Sequence, residues 1–307
     1  MENLKLLKRK DINKKYWDDC IQSDSNALIY ANTWYLDAVC SNWCAVVLVG
    51  DGKYEFVFPV PFRNKLGIKY VYTPSFIQQL GCMGNFMVSK EHIVELIKLI
   101  RKEFSFCDIQ IKKNRVIQST RFFKRERINL ILNLNASYEF LQKNYSTNHK
   151  RNLKKTGGLT IKTVNKIDNI VKLFKQSDIM KQSNFKKDDF ERLNKLTAAV
   201  SQNAQAEFIH VIDDKKEVIS GAIVFNWNNR LTFIFSGNSK NGKKVNGLLF
   251  LLDDLIKRYS NQSIYLDFEG SESPGLNRFY SGFGAEEELY LFCHFNKLNR
   301  LIKRLKK

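Results

Sequence analysis

Residues 206–236, AEFIHVIDDKKEVISGAIVFNWNNRLTFIFS, and residues 44–73, CAVVLVGDGKYEFVFPVPFRNKLGIKYVYT, carry one pattern twice. Each holds three runs rich in β-branched and aromatic residues. GDGK and DDKK mark the first turns, and RNKLG and NWNNR the second, so each stretch reads as three consecutive antiparallel strands. The segments after these strands match too. Residues 91–104 place Ile93, Leu96, Ile97 and Ile100 at helical spacing, and residues 247–260 do so with Leu248, Leu251, Leu252, Leu255 and Ile256. A strand comes next in each half, CDIQIKKN (107–114) and SIYLDFEG (263–270), and each half closes on another, INLILNL (128–134) and ELYLFCHF (288–295).

Both halves therefore read β-β-β-α-β, a connecting segment, then β. A strand and one or two helices precede each: LKLLK with segments near 16–21 and 34–39, then LTIKTV (159–164) with segments near 167–180 and 187–203. The expected class is α+β, with two tandem domains at 1–135 and 136–307. Each is a central mixed β-sheet flanked by helices, as expected of a duplication.

The chain has 307 residues and a net charge of +19, with a basic excess in both halves. That sign favours anionic partners: RNA, an anionic membrane surface, phosphorylated metabolites or CoA. A Lys-rich composition that keeps the protein in solution explains it as well. The six cysteines form no C-x-x-C pair, and the four histidines do not fall at zinc-ligand spacing from them. No metal site and no permanently bound cofactor are expected, and the cysteines read as buried, reduced and structural. The start, MENLKLLKRKD, lacks the apolar core of a signal peptide, and no run approaches the roughly 18 apolar residues of a membrane-spanning helix. These features predict a cytoplasmic protein.

The element order resembles the GNAT acyltransferase fold, and its tandem repetition resembles the Fem-type (FemAB-like) transferases. Three segments carry the likeness: 246–286, with a strand reading Asp-Phe-x-Gly and a Phe-x-x-x-Phe-Gly close; the basic NHKRNLKKTGGLTIK (148–162); and PSFIQQLG (74–81). The resemblance implies transfer of an acyl or aminoacyl group to an amine. Well-studied members use aminoacyl-tRNA to extend the peptide of a peptidoglycan precursor; others are acyl-CoA N-acyltransferases. The long helical arm often found in the peptidoglycan enzymes has no counterpart, since 164–206 reads as two ordinary helices.

Candidate chemistry falls in four places. After the strand LTFIFS (231–236), Ser236, Gly237, Asn238, Gly242, Lys243, Lys244, Asn246 and Gly247 form a glycine- and lysine-bearing turn into a helix, suited to a donor's phosphates. It does not follow the GNAT Q/R-x-x-G-x-G/A pattern, and an ordinary turn capped by Asn246 explains it equally. Gln78 and Gln79, before Gly81 and Gly84, come closer to that pattern; they read as acceptor contacts or as part of a loop closing the sheet edge. Lys150 and Arg151 can clamp phosphates or belong to a solvated helix face. In strand 263–269, Asp267 and Glu269 share a face. Two carboxylates there can steer an amine or take its proton, or can pair with nearby bases. Ser273 and Pro274 start a helix that Gly282 or Gly284 ends. Tyr280 stands in YSGFGA, and the resemblance makes it the acid that protonates the departing thiolate, although Ala285 replaces a common Phe.

The leading expectation is an N-acyltransferase with an acyl-CoA-type co-substrate and an amine acceptor. An aminoacyl-tRNA-dependent transferase acting on a peptidoglycan precursor is the first alternative. A non-catalytic protein holding RNA or membrane is the second. DNA is not an expected partner. The C-terminal KLNRLIKRLKK (297–307), with six basic residues, reads as a basic amphipathic helix, for docking or for anionic lipid or RNA.

Overall fold

The computed structural model describes residues 4–177, 180, 185–270 and 272–298. The C-terminal amphipathic segment lies almost wholly outside them. In chain order the elements are β1 (Leu4–Lys8), α1 (Lys14–Ser23), α2 (Thr33–Val39), β2 (Trp43–Gly50), β3 (Lys53–Lys65), β4 (Ile68–Val71), α3 (Lys90–Glu103), β5 (Phe106–Lys112), α4 (Arg115–Gln118) and β6 (Phe123–Asn133). After β6 come α5 (Tyr138–Lys143), α6 (Thr147–Leu153), β7 (Thr160–Val164), α7 (Asp168–Lys175), α8 (Lys187–Asn203), β8 (Gln205–Ile212), β9 (Val218–Trp227), β10 (Arg230–Asn238), α9 (Lys240–Lys244), α10 (Gly247–Tyr259), β11 (Tyr265–Asp267), α11 (Pro274–Ser281) and β12 (Glu286–Asn296).

The chain divides into Met1–Arg127 with Leu289–Lys307, and Ile128–Glu288. These bounds differ from the 1–135 and 136–307 division of the sequence reading, for a reason visible in the pairing. β12 pairs antiparallel with β5, Tyr290 opposite Lys112 through Asn296 opposite Phe106. β6 pairs with β11, Tyr265 opposite Asn133 and Asp267 opposite Ile131. Each unit thus closes its sheet with the strand that the repeat pattern assigns to the other half. A periodic strand declares that it will pair, but its sequence does not name its neighbour.

In the first unit the described strands run β1-β2-β3-β4-β5-β12, with β4 and β5 parallel and the other pairs antiparallel. Residues 43–48 of β2 are all buried. Helices explain this: α3, capped by Ser89 on the His92 amide, buries Ile93, Leu96 and Ile100, and α1 buries Trp17 and Ile21. Trp17 is fully enclosed, and its indole N–H donates to the Ala31 carbonyl at 2.9 Å, which meets the requirement that a buried donor be paired.

In the second unit the described strands run β6-β11-β10-β9-β8-β7, with β10 and β11 parallel and the other pairs antiparallel. Leu249, Leu252, Leu255 and Ile256 of α10 pack with Leu130, Leu132, Leu231, Phe233, Leu266 and Phe268 of the sheet. Each such side chain contributes roughly 1.5–3 kcal/mol by leaving water.

Three hairpins have two-residue turns with both central residues at positive φ: Asp51-Gly52 (46°, 74°), Leu66-Gly67 (52°, 76°) and Asn228-Asn229 (50°, 56°). This geometry matches the right-handed twist of the flanking strands, and Asn, Asp and Gly tolerate it best. Leu66 is the exception.

Candidate active site

Among the described residues each unit contains one parallel pair of named strands, and the two pairs end differently. In the first unit β4 and β5 pair over only Tyr70–Phe106 and Val71–Cys107. Beyond that point the chain closes the gap itself. Thr73 Oγ1 accepts from the Gln110 amide at 2.9 Å. Leu80 bridges Ile111, donating its amide to the Gln110 carbonyl at 2.9 Å and accepting from Lys112 at 2.7 Å. Met83 bridges Val57. Gln78 and Gln79 sit in this plug. Both are buried, and the Gln79 amide donates to Gln78 Oε1 at 3.0 Å. Of the two readings of this segment, closure of a sheet edge accounts for their geometry.

In the second unit the ladder between β10 and β11 spans Arg230–Tyr265, Leu231–Leu266 and Thr232–Asp267. Past it the strands part. β10 continues to Asn238 with β9 on its other side, after an extra residue at Ile234 between Phe233 and Phe235. The chain after Asp267 stays with β6, the Phe268 amide donating to the Leu130 carbonyl at 3.0 Å. It then turns through Glu269 and Gly270, at φ 55° and 21°. Among the described residues no strand pairs with β10 on its β11 side beyond Thr232. The result is an open strand edge beside a bulge, an arrangement that re-aims backbone groups and recurs next to active sites.

Tyr280 lies where the strands part. Its ring stacks on Phe268 at 4.9 Å and meets Phe233 edge-on at 6.3 Å, touching both sides of the opening. It is 7% exposed. Burial raises its hydroxyl pKa above the ordinary tyrosine value, and the charge of Glu269 raises it further. The hydroxyl stays protonated at neutral pH, the state a proton donor needs.

The helix carrying Tyr280 is held from beneath. Ser273 stands at the N-cap without a side-chain cap bond, and Pro274 opens the helix. At the other end the Ser146 amide donates to the Gly282 carbonyl at 2.8 Å. His149 Nε2 lies 2.9 Å from the Phe279 carbonyl; a carbonyl only accepts, so this nitrogen carries the proton. Burial lowers the His149 pKa, consistent with a neutral ring. A Cβ on Gly282 would lie 2.6 Å from the imidazole, so glycine is required there for close approach. The NHKRNLKK segment therefore anchors α11 through its histidine, while Lys150 and Arg151 point outward. Lys150 Nζ donates to the Lys143 carbonyl at 2.7 Å, and Arg151 to Asn148 Oδ1 at 2.8 Å.

Asp267 and Tyr280 do not converge. Leu266 and Phe268 face the α10 core with Tyr280, so Asp267, between them, faces the opposite side of the sheet. It is 1% exposed. Its Oδ2 accepts from Arg230 Nη1 at 2.6 Å, and its Oδ1 accepts from Asn129 Nδ2 at 3.0 Å and the Glu269 amide at 2.8 Å. Arg230 also binds Glu288 at 2.7 and 3.0 Å, and Asn129 donates to Glu288 at 3.1 Å. With both oxygens occupied and water excluded, Asp267 is an anchor for the end of β11, not a base for an amine. Glu269, half-buried and electrostatically coupled to Tyr280, is the carboxylate on the turn itself. Arg230, Asn129 and Glu288 carry no motif, and only strand alternation opposite Asp267 hints at the first two; His149 lies in the basic NHKRNLKK segment, where the lysines and arginine drew the reading instead.

The turn from Ser236 to Gly247 is built for packing. A Cβ on Gly237 would lie 2.3 Å from the Ile170 carbonyl and 2.8 Å from the Phe174 amide, so α7 rests directly on this strand. Gly242 and Gly247 are crowded by Ser220, whose hydroxyl bonds Asn238 Oδ1 at 2.6 Å. Ser239 caps α9 on the Gly242 amide at 2.9 Å. Asn246 adopts φ 61° and makes no side-chain cap, unlike the capping turn expected. Lys243 and Lys244 are exposed. Gly237→Ala is expected to cost about 1–3 kcal/mol, because α7 backbone must move. Thermal melts check this: an unchanged midpoint would mean that α7 does not bear on Gly237.

No family model and no curated protein matches the sequence. Solved structures do match the fold. FemX superimposes with a TM-score of 0.67 at 11% identity, covering 96% of this chain and 98% of FemX. The chain has the Fem-like tandem GNAT fold. A tandem GNAT protein from the clavulanic acid biosynthesis pathway, solved without AcCoA, gives 0.59 at 8% identity over 97% and 99% of the two chains. The C-terminal domain of a lysylphosphatidylglycerol synthetase from Agrobacterium fabrum, itself so described only provisionally, gives 0.56 at 10% over 95% and 94%. In this Fem-like fold the parallel pair of the second unit is the open one.

Proposed function

We propose that this protein transfers an acyl group to an amine, with the reaction at the opening between β10 and β11. One observation carries the reading: the parallel ladder stops after Thr232–Asp267 and Tyr280 is stacked where the strands separate. The neutral amine nitrogen attacks the donor's carbonyl carbon, a C–N bond forms and the bond to the leaving sulfur or oxygen breaks. The amine's proton leaves through Glu269 or a water beside it. The leaving group takes a proton from Tyr280, whose hydroxyl donates no hydrogen bond elsewhere among the described residues. Backbone N–H groups on the open edge of β10 supply the oxyanion contacts.

An acyl-CoA-type thioester is the favoured donor, because the described residues between β7 and β8 hold helices of 8 and 17 residues and no long arm for tRNA among them. The +19 charge supports the second reading, an aminoacyl-tRNA donor with Lys150 and Arg151 on its phosphates. Thermal shift separates them. At a hundredfold excess over Kd, the true donor stabilises the fold by about 2.7 kcal/mol. Acyl-CoA is expected to raise Tm while charged tRNA does not. The reverse result transfers the assignment to the tRNA ester, and no shift with either removes the transferase reading.

A further inference from the structure

Leu66 sits at the apex of the β3–β4 hairpin and is 93% exposed. It also adopts φ 52°, a conformation that costs a branched aliphatic side chain energy and suits Asn or Asp. The same chain fills the equivalent positions of its other two-residue turns with Asp51 and Asn228. Leucine is therefore disfavoured at this apex twice over, by the backbone and by water, where the other two-residue turns described carry Asp51 and Asn228. A side chain so placed gains only if it enters an apolar medium.

The strands behind the apex say which medium. Lys65 pairs with Ile68 and Arg63 with Tyr70, so these four side chains share one face of the hairpin. The Arg63 guanidinium lies 4.2 Å over the Tyr72 ring, and Tyr70 contacts Tyr72 and Phe106, each at 6.4 Å between centroids. Receding from the tip, the order is an aliphatic residue, then a lysine, then arginine among tyrosines. That is the depth profile of a lipid interface, with acyl chains, phosphates and the headgroup region met in turn. A nucleic acid would use the basic and aromatic face but has no site for an exposed aliphatic tip.

We propose that the β3–β4 hairpin is a docking wedge for anionic bilayers, seating Leu66 at the acyl boundary with Lys65 and Arg63 at phosphate level. The contact is independent of the transferase reading. The test is flotation of the full chain with phosphatidylcholine vesicles containing about one-third phosphatidylglycerol, and with pure phosphatidylcholine vesicles. Leu66→Asn supplies the residue that the turn prefers, so it is expected to melt no lower than the parent while binding anionic vesicles about tenfold more weakly. Leu66→Trp, with the same backbone demand, is expected to bind at least as well as the parent. Equal vesicle binding by Leu66→Asn and the parent overturns the wedge. So does a Lys65→Glu variant that loses bulk tRNA binding but keeps vesicle binding, which would mark the face as an RNA surface.

Discussion

Arg230→Met is expected to destabilise the second unit by about 3–5 kcal/mol at neutral pH, because it breaks a buried ion pair and leaves a carboxylate stranded. The guanidinium serves two carboxylates at once, Asp267 at 2.6 Å and Glu288 at 2.7 Å, and the ion pairs hold its own pKa above the ordinary value. Methionine fills much of the volume but leaves Asp267, 1% exposed, with only Asn129 and the Glu269 amide. The pH dependence comes from the same geometry. Burial already raises the Asp267 pKa against the pull of Arg230; without Arg230 nothing cationic offsets burial, and the pKa rises further. A folded-state pKa above the unfolded one means that the native state binds the proton more tightly. The variant should therefore regain stability as pH falls through the raised pKa toward the ordinary carboxylate value near about 4. Urea melts of parent and variant between neutral and mildly acidic pH measure this. A loss that does not shrink on acidification would mean that Asp267 is not the group left stranded.

Tyr280→Phe is expected to lower kcat by about a hundredfold or more, the usual scale for loss of a positioned proton donor, with little change in Tm. The ring stack on Phe268 and the edge contact with Phe233 survive the substitution, and the hydroxyl removed makes no hydrogen bond within the described protein. Stability and turnover therefore separate. Donors with better leaving groups should rescue the variant, since they need less help from a proton. Turnover of Tyr280→Phe equal to the parent's with a poor leaving group would remove Tyr280 from the reaction and leave it a core tyrosine.

The two residues share the stretch YLDFEGSESPGLNRFYSGFGAE but have different fates. Strand alternation alone put Leu266 and Phe268 on one face and Asp267 on the other, and the structure agrees. What alternation could not say is which face meets the opening. Asp267 reads as chemistry because it shares a strand face with Glu269, and two carboxylates there can steer an amine or take its proton. Its side-chain partners, Asn129 and Arg230, come from β6 and β10, both remote in sequence, so their claim on it was invisible. The glycines at 237, 242 and 247 were ambiguous for a related reason. A glycine admits either an anion or a neighbouring backbone, and only the position of α7 and Ser220 decides.

Sequence by itself determined the elements: the three-strand runs, the helices read at 91–104 and 247–260, the turns between the strands and the repetition that makes the fold tandem. These rest on hydrophobic period and turn chemistry, which are local. Tertiary structure alone decided which unit each closing strand joins, that residues 73–83 fill the first parallel gap while the second stays open, and that Tyr280 rather than Asp267 stands at it. Those outcomes depend on hydrogen-bond ladders and burial between segments far apart in the chain, and no local pattern encodes a partner.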